Sequence, residues 1–288
     1  MNALPPLHSH PMLLVDKHKR QYYQTGNYLS FWATDTINRA LKKQDAKNDY
    51  VLLLTYMLDA ISNLPSFPPM NGPPTKQNPL MPSLLSKEGF AGSVPLLLLE
   101  QILSVDSNGN KIDRFVTARE WTVNDVDYFI CTLSKTKFLN RVQSIVSALR
   151  KVVGVNHVVQ EPPRSNLYVD PKRPVWIVDV EISGVATKLS FVQSLQADMH
   201  ETVEHFDISV VKVVYDCRIE MIHASYPVVK DIVLGRAEVR DFHVARNAPT
   251  WFEVSQISST LKRMTKYGER GYRFNHYPRM IPGCQNDH

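Results

Sequence analysis

Cysteine is scarce in this chain: three residues in 288, at positions 131, 217 and 284. An odd number at wide spacing gives no disulfide framework and no zinc knuckle. It suits a reducing compartment, so a cytoplasmic location is expected, with the nucleus as the alternative. Long hydrophobic runs are missing as well. No stretch of eighteen apolar residues occurs, so no transmembrane helix and no membrane partner are expected. The opening MNALPPLHSHPMLLVDKHKR lacks the basic start and long apolar core of a secretory signal. There is no internal repeat, and the ten histidines form no cluster with metal-ligand spacing.

What is present is globular. Hydrophobic residues make up 43% and charged residues 21%, in a length that suits one large domain or two modest ones. The formal net charge of +5 fits an anionic partner such as a nucleotide or nucleic acid.

Residues 1–30 read as irregular. Two helices are expected over 33–44, with Thr34 as N-cap, and over 50–62. The stretch PSFPPMNGPPTKQNPLMP (65–82) has seven prolines in eighteen residues. Proline ends helices and central strands, so this is a surface loop or linker. SVPLLLLEQIL (93–103) reads as a buried helix with Ser93 at its N-cap. WTVNDVDYFIC reads as a strand. FLNRVQSIVSALRKVV (138–153) has apolar residues at helical spacing. HVVQ, VWIVDVEI (175–182), TKLSFVQS (187–194) and FDISVVKVVYD (206–216) read as strands, and 252–271 as a final helix. The plan is α/β (α+β), a mixed central sheet flanked by helices. Its divisions are a helical segment 1–64, a linker 65–85, a core 86–220 and a C-terminal extension 221–288 with a basic helix.

The chemistry-bearing residues start with Asp125 and Asp127. Strand side chains alternate, so both carboxylates point to one face while Val126 points to the other. Such a pair suits a divalent cation, Mg²⁺ or Mn²⁺, held together with substrate phosphates; alone it also fits two solvated residues at a strand end. Gly92 and Ser93 open a buried helix, where free N–H groups favour a phosphate; the plainer reading is an ordinary cap. Asp207 offers a third carboxylate from a later strand. Asp179 reads better as a strand-end residue. In the last helix, Val254, Ile257, Leu261 and Met264 make an apolar stripe. Lys262, Arg263, Lys266 and Arg270 lie off it and suit a triphosphate or a nucleic-acid backbone, or else a solvated face.

The order Gly92-Ser93, Asp125-x-Asp127, Asp207 resembles the nucleotidyltransferase superfamily of DNA polymerase beta, poly(A) polymerases and oligoadenylate synthetases. The resemblance covers about residues 86–216. It implies a polymerase-beta-like fold, metal held by Asp125, Asp127 and Asp207, and a nucleoside triphosphate on Gly92-Ser93. In such a family Asp207 would also activate the attacking hydroxyl. Later pieces, ending in RMTKYGERGY (263–272), are similar to uncharacterised nucleotidyltransferase-like proteins of large DNA viruses and fungi. A departure is the spacing from Ser93 to Asp125, with SVDSNGNKIDRF (104–115) as an insertion. The expected activity is transfer of a nucleoside monophosphate from an NTP to a hydroxyl of RNA, a small molecule or a protein. The alternatives are a binding or structural protein that keeps the fold without turnover, and a nucleic-acid-binding protein that uses the basic helix alone.

Overall fold

The computed structural model describes residues 12–17, 19–41, 49–65, 86–106, 108, 110–112, 123–166, 175–244 and 251–282. The Pro-rich loop expected at 65–82 lies outside these residues, apart from Pro65.

Three short strands come first: β1 (Met12–Val15), β2 (Gln21–Thr25) and β3 (Tyr28–Trp32). The irregular reading of residues 1–30 is therefore corrected from residue 12 onward. These strands sit toward one edge of the sheet; β1 is mostly exposed and the centre of β3 is buried on both faces, so neither carries a clean apolar alternation. Helices α1 (Thr34–Leu41) and α2 (Asp49–Ser62) follow. Thr34 is the first helical residue, and its hydroxyl donates to Glu220 at 2.5 Å.

The core begins with β4 (Glu88–Ala91), α3 (Ser93–Leu103), β5 (Asp125–Cys131) and α4 (Lys135–Val153). Helix α4 starts earlier than its apolar periodicity because Ser134 caps it, accepting from the Lys137 N–H at 3.2 Å. Next come β6 (Val158–Gln160), β7 (Arg164–Asn166), the hairpin β8 (Val175–Ile182) and β9 (Lys188–Ser194), and α5 (Met199–Glu204). Strand β10 (Val213–Asp216), β11 (Met221–Ser225) and α6 (Tyr226–Leu234) complete the second half. Four short strands flank the last helix: β12 (Arg236–Ala237), β13 (Phe242–Val244), then α7 (Trp251–Glu269), β14 (Arg273–Phe274) and β15 (Met280–Pro282).

Eleven strands form one mixed sheet in the order β1-β2-β3-β11-β10-β4-β5-β9-β8-β6, with β7 paired to β8. Only β5 and β9 run parallel within it; the other pairs are antiparallel. The sheet crosses the divisions drawn at 64 and 220, because β3 pairs with β11. One face carries the main core, with Phe90, Tyr128, Phe138, Leu53 and Leu96 fully buried. On the other face α5 packs Met199 and Val203 over Cys131, Ala91 and Val214. That helix covers the C-terminal half of β5 and leaves the Asp125 end open.

A buried ion cluster fixes the start of β4. Glu88 is 4% exposed and accepts from Arg141 at 2.5 and 2.7 Å and from Arg218 at 2.8 Å. Two guanidinium groups on one carboxylate satisfy the charge that burial would otherwise leave costly. The cluster sets the register from which Gly92 leaves the sheet.

Candidate functional site

Strand β5 alternates as expected: Asp125 exposed, Val126 buried, Asp127 half-buried, Tyr128 buried. Both carboxylates therefore share the open face. Burial pushes the Asp127 carboxyl up to about 7, and the neighbouring Asp125 charge pushes the same way.

Strand β4 ends beside them. Gly92 has φ +89 and ψ −131, a conformation that a side chain disfavours, and the space a Cβ would fill is open. The cap of α3 is thus Gly92, not Ser93, which is the first helical residue. No side chain caps this end. Pro95 has no N–H, so Ser93 and Val94 present the helix's leading donors toward the gap.

Helix α7 closes the site from the other side. Lys266 Nζ lies 3.7 Å from Asp125 Oδ1. The Ser93 hydroxyl shares a 2.9 Å hydrogen bond with the Tyr267 phenol and accepts from Arg270 Nη1 at 3.3 Å. Arg270 is 6% exposed, and its guanidinium carbon stands 4.9 Å from the Tyr267 ring centroid. The side chains that face inward are Thr260, Met264, Tyr267 and Arg270, whereas Val254 and Leu261 are 46% and 39% exposed. The apolar stripe read from the sequence is therefore corrected in part: Met264 is buried, Val254 and Leu261 are exposed, and the inward face also carries Thr260, Tyr267 and Arg270. Lys262 is exposed.

Asp207 is not on a strand. It precedes a 3-10 turn over Ser209–Val211, and β10 begins only at Val213. Its carboxylate is taken by the Thr260 hydroxyl and by an ion pair with Arg263. Among the described residues no three His, Cys, Asp or Glu side chains are gathered where they could hold a metal ion. Asp207 is held by the turn of α7 that precedes Lys266.

Asp179 is not the strand-end residue expected from the sequence. It is mid-strand in β8, 4% exposed, and one strand beyond β9. Cross-strand pairing runs Asp127 to Ser190 to Asp179, which puts all three on one face. Burial would raise the Asp179 pKa. Hydrogen bonds from Ser190 at 2.6 Å and Arg164 at 3.1 Å outweigh it and hold the carboxyl below the usual range. Lys188 Nζ lies 3.3 Å from the same carboxylate and 3.1 Å from Glu161. Lys188 is also the Cα partner of Asp125 on β9. The available signal was an Asp at the centre, not the end, of an apolar strand segment.

The donor set fits one hard cation shared with phosphate oxygens, as Mg²⁺ is commonly held by one or two carboxylates plus substrate. It does not fit a cage of three carboxylates built from Asp125, Asp127 and Asp207.

No protein-family model matches the sequence, and neither does any curated protein. Among solved structures, the chain is similar to a CCA-adding enzyme in complex with CTP, with TM-score 0.45 and 7% identity over 86% of this chain and 44% of that one. It is also similar to a tRNA-processing enzyme in an apo form, with TM-score 0.34 and 14% identity over 66% of this chain and 39% of that one. The chain spans less than half the length of either. Neither likeness bears on the viral and fungal resemblance. No helix among the described residues is long and apolar enough to cross a membrane.

Proposed function

We infer that the protein is a nucleotidyltransferase-like enzyme that binds a nucleoside triphosphate between α3, β5 and α7. The observation that carries this reading is the convergence of four remote pieces: an uncapped helix start at Gly92-Ser93, the pair Asp125 and Asp127, Lys266, and the buried Arg270. A helix N-terminus and two cations favour a polyphosphate. Two carboxylates beside them favour a divalent cation on that polyphosphate.

In this reading the Ser93 and Val94 N–H groups and the Ser93 hydroxyl receive phosphate oxygens. Arg270 and Lys266 offset their charge. Asp125 and Asp127 would hold Mg²⁺ or Mn²⁺, which when bound supplies charge neutralisation of the triphosphate. The reaction is displacement at the α-phosphorus by an acceptor hydroxyl, with pyrophosphate leaving. RNA, a small molecule or a protein is the acceptor. The basic stripe of α7 favours a phosphate-bearing one.

The test is incubation of the protein with each labelled NTP, Mg²⁺ or Mn²⁺, and RNA or protein acceptors. Label should appear in one acceptor and vanish in Asp125→Asn and Asp127→Asn. Absence of transfer with every pair removes the enzyme reading.

A second reading is a retained fold that binds nucleotide without turnover. It is favoured by Lys188, a cation opposite Asp125 on β9, and by the engagement of Asp207 with Arg263. Triphosphate binding that survives without any transfer distinguishes it.

A further inference from the structure

We propose that helix α7 is a latch on the phosphate cradle, and that a triphosphate must displace Tyr267 from Ser93 to bind. The inference rests on the triphosphate reading above and adds a regulatory element to it.

Two of the groups that the ligand needs, the Ser93 hydroxyl and the Asp125 carboxylate, are engaged by α7 in the structure. The Ser93 hydroxyl is bonded to Tyr267 and Arg270. The Asp125 carboxylate faces the Lys266 ammonium. The end of the helix is tied down again two turns along α3, where the buried Tyr272 phenol donates to Glu100. Ser93 and Glu100 are seven positions apart, so they share one face of α3. Tyr267 and Tyr272 pack edge to face with ring centroids 6.4 Å apart, which joins the two ties into one unit.

Of the three contacts at the cradle, the Tyr267–Ser93 and Lys266–Asp125 ties differ in kind from the ligand that would replace them. Tyr267 to Ser93 is a bond between neutral hydroxyls, with a modest net value. Lys266 and Asp125 are 40% and 50% exposed in their side chains, and an ion pair in such a setting contributes little. Charge-assisted bonds from Ser93, Lys266 and Arg270 to phosphate are stronger than either. The contacts thus place α7 over the cradle and are weak enough to be exchanged. The Tyr267 hydroxyl occupies a hydrogen-bonding position on Ser93 that a phosphate oxygen would take.

The experiment compares wild type with Tyr267→Phe, which keeps the ring packing and removes only the hydroxyl. The ligand is inorganic tripolyphosphate with and without Mg²⁺, measured by calorimetry on the full chain, with circular dichroism to show that both proteins are folded. The latch predicts that Tyr267→Phe binds about fivefold tighter, the size of one ordinary hydrogen bond released. Weaker binding by the variant means that Tyr267 is a ligand-binding group, and overturns the latch. Equal binding overturns the latch and leaves the triphosphate site standing. Binding by the variant but not by wild type supports the latch in its strongest form. No binding by either protein removes the triphosphate site and the latch with it.

Discussion

Lys266 Nζ stands 3.7 Å from Asp125 Oδ1, joining the last helix of the chain to the strand that carries both candidate carboxylates. The contact puts a cation beside the open pair and brings Tyr267 and Arg270, on the same helix, against Ser93. One helix face thus touches both halves of the proposed site.

Asp127 makes stability depend on pH in a defined direction. Its carboxyl is raised from 3.8 to about 7, so the folded state binds the proton more tightly than the unfolded chain. That penalty is absent below about pH 4, grows as pH rises and is complete above about pH 7. Asp127→Asn should therefore be more stable than wild type at pH 8, by about 2–4 kcal/mol, and similar at pH 4. Urea denaturation at the two pH values checks this; a variant that is less stable at pH 8 contradicts it.

Gly92→Ala tests the turn that opens α3. A Cβ meets nothing within 4 Å, so the cost comes from the backbone at φ +89. The expected loss is about 1–3 kcal/mol. Because the same turn aims the Ser93 and Val94 N–H groups, tripolyphosphate affinity should fall as well. Thermal melting and calorimetry give the two readouts. Unchanged affinity in a destabilised protein would move the anion site away from this helix end.

Asp207→Asn separates two assignments of the third acid. If Asp207 only anchors α7 through Arg263 and Thr260, the variant should keep its Mg²⁺ dependence of triphosphate binding while Asp127→Asn loses it. A titration of Mg²⁺ at fixed tripolyphosphate decides between them. Loss of Mg²⁺ dependence in Asp207→Asn would return that residue to the metal site.

Arg141→Met breaks the buried cluster at Glu88. It leaves that carboxylate 4% exposed with Arg218 alone among its two guanidinium partners. A buried charge left without any partner costs about 3–5 kcal/mol, and because Arg218 stays on Glu88 the expected loss is about 2–3 kcal/mol. Chemical denaturation should show a loss of that size, and the double variant Arg141→Met, Glu88→Leu should recover part of it. No recovery would mean that the loss comes from packing and not from the orphaned charge.

Local pattern carried much of this protein in its sequence alone. The alternation of DVDYFIC put Asp125 and Asp127 on one face, because strand side chains alternate whatever the strand packs against. Apolar periodicity placed α4 and apolar runs placed α2 and α3, while the cap of α3 fell one residue before the expected Ser93, at Gly92. Tertiary packing decided the rest. Strand β1 is mostly exposed and β3 is buried on both faces, so neither shows a clean alternation, and the three are recognised only once β3 meets β11. Asp207 depends on which helix settles beside it, and Arg263 claims it. Asp179 joins the open face only because β9 places Ser190 between it and Asp127. The face that α7 buries keeps Met264 of the apolar stripe but adds Thr260, Tyr267 and Arg270, whose partners Ser93 and Asp207 lie far away in the chain. Hydrogen bonds and ion pairs between distant segments form only after the sheet order is set, and no local periodicity encodes that order.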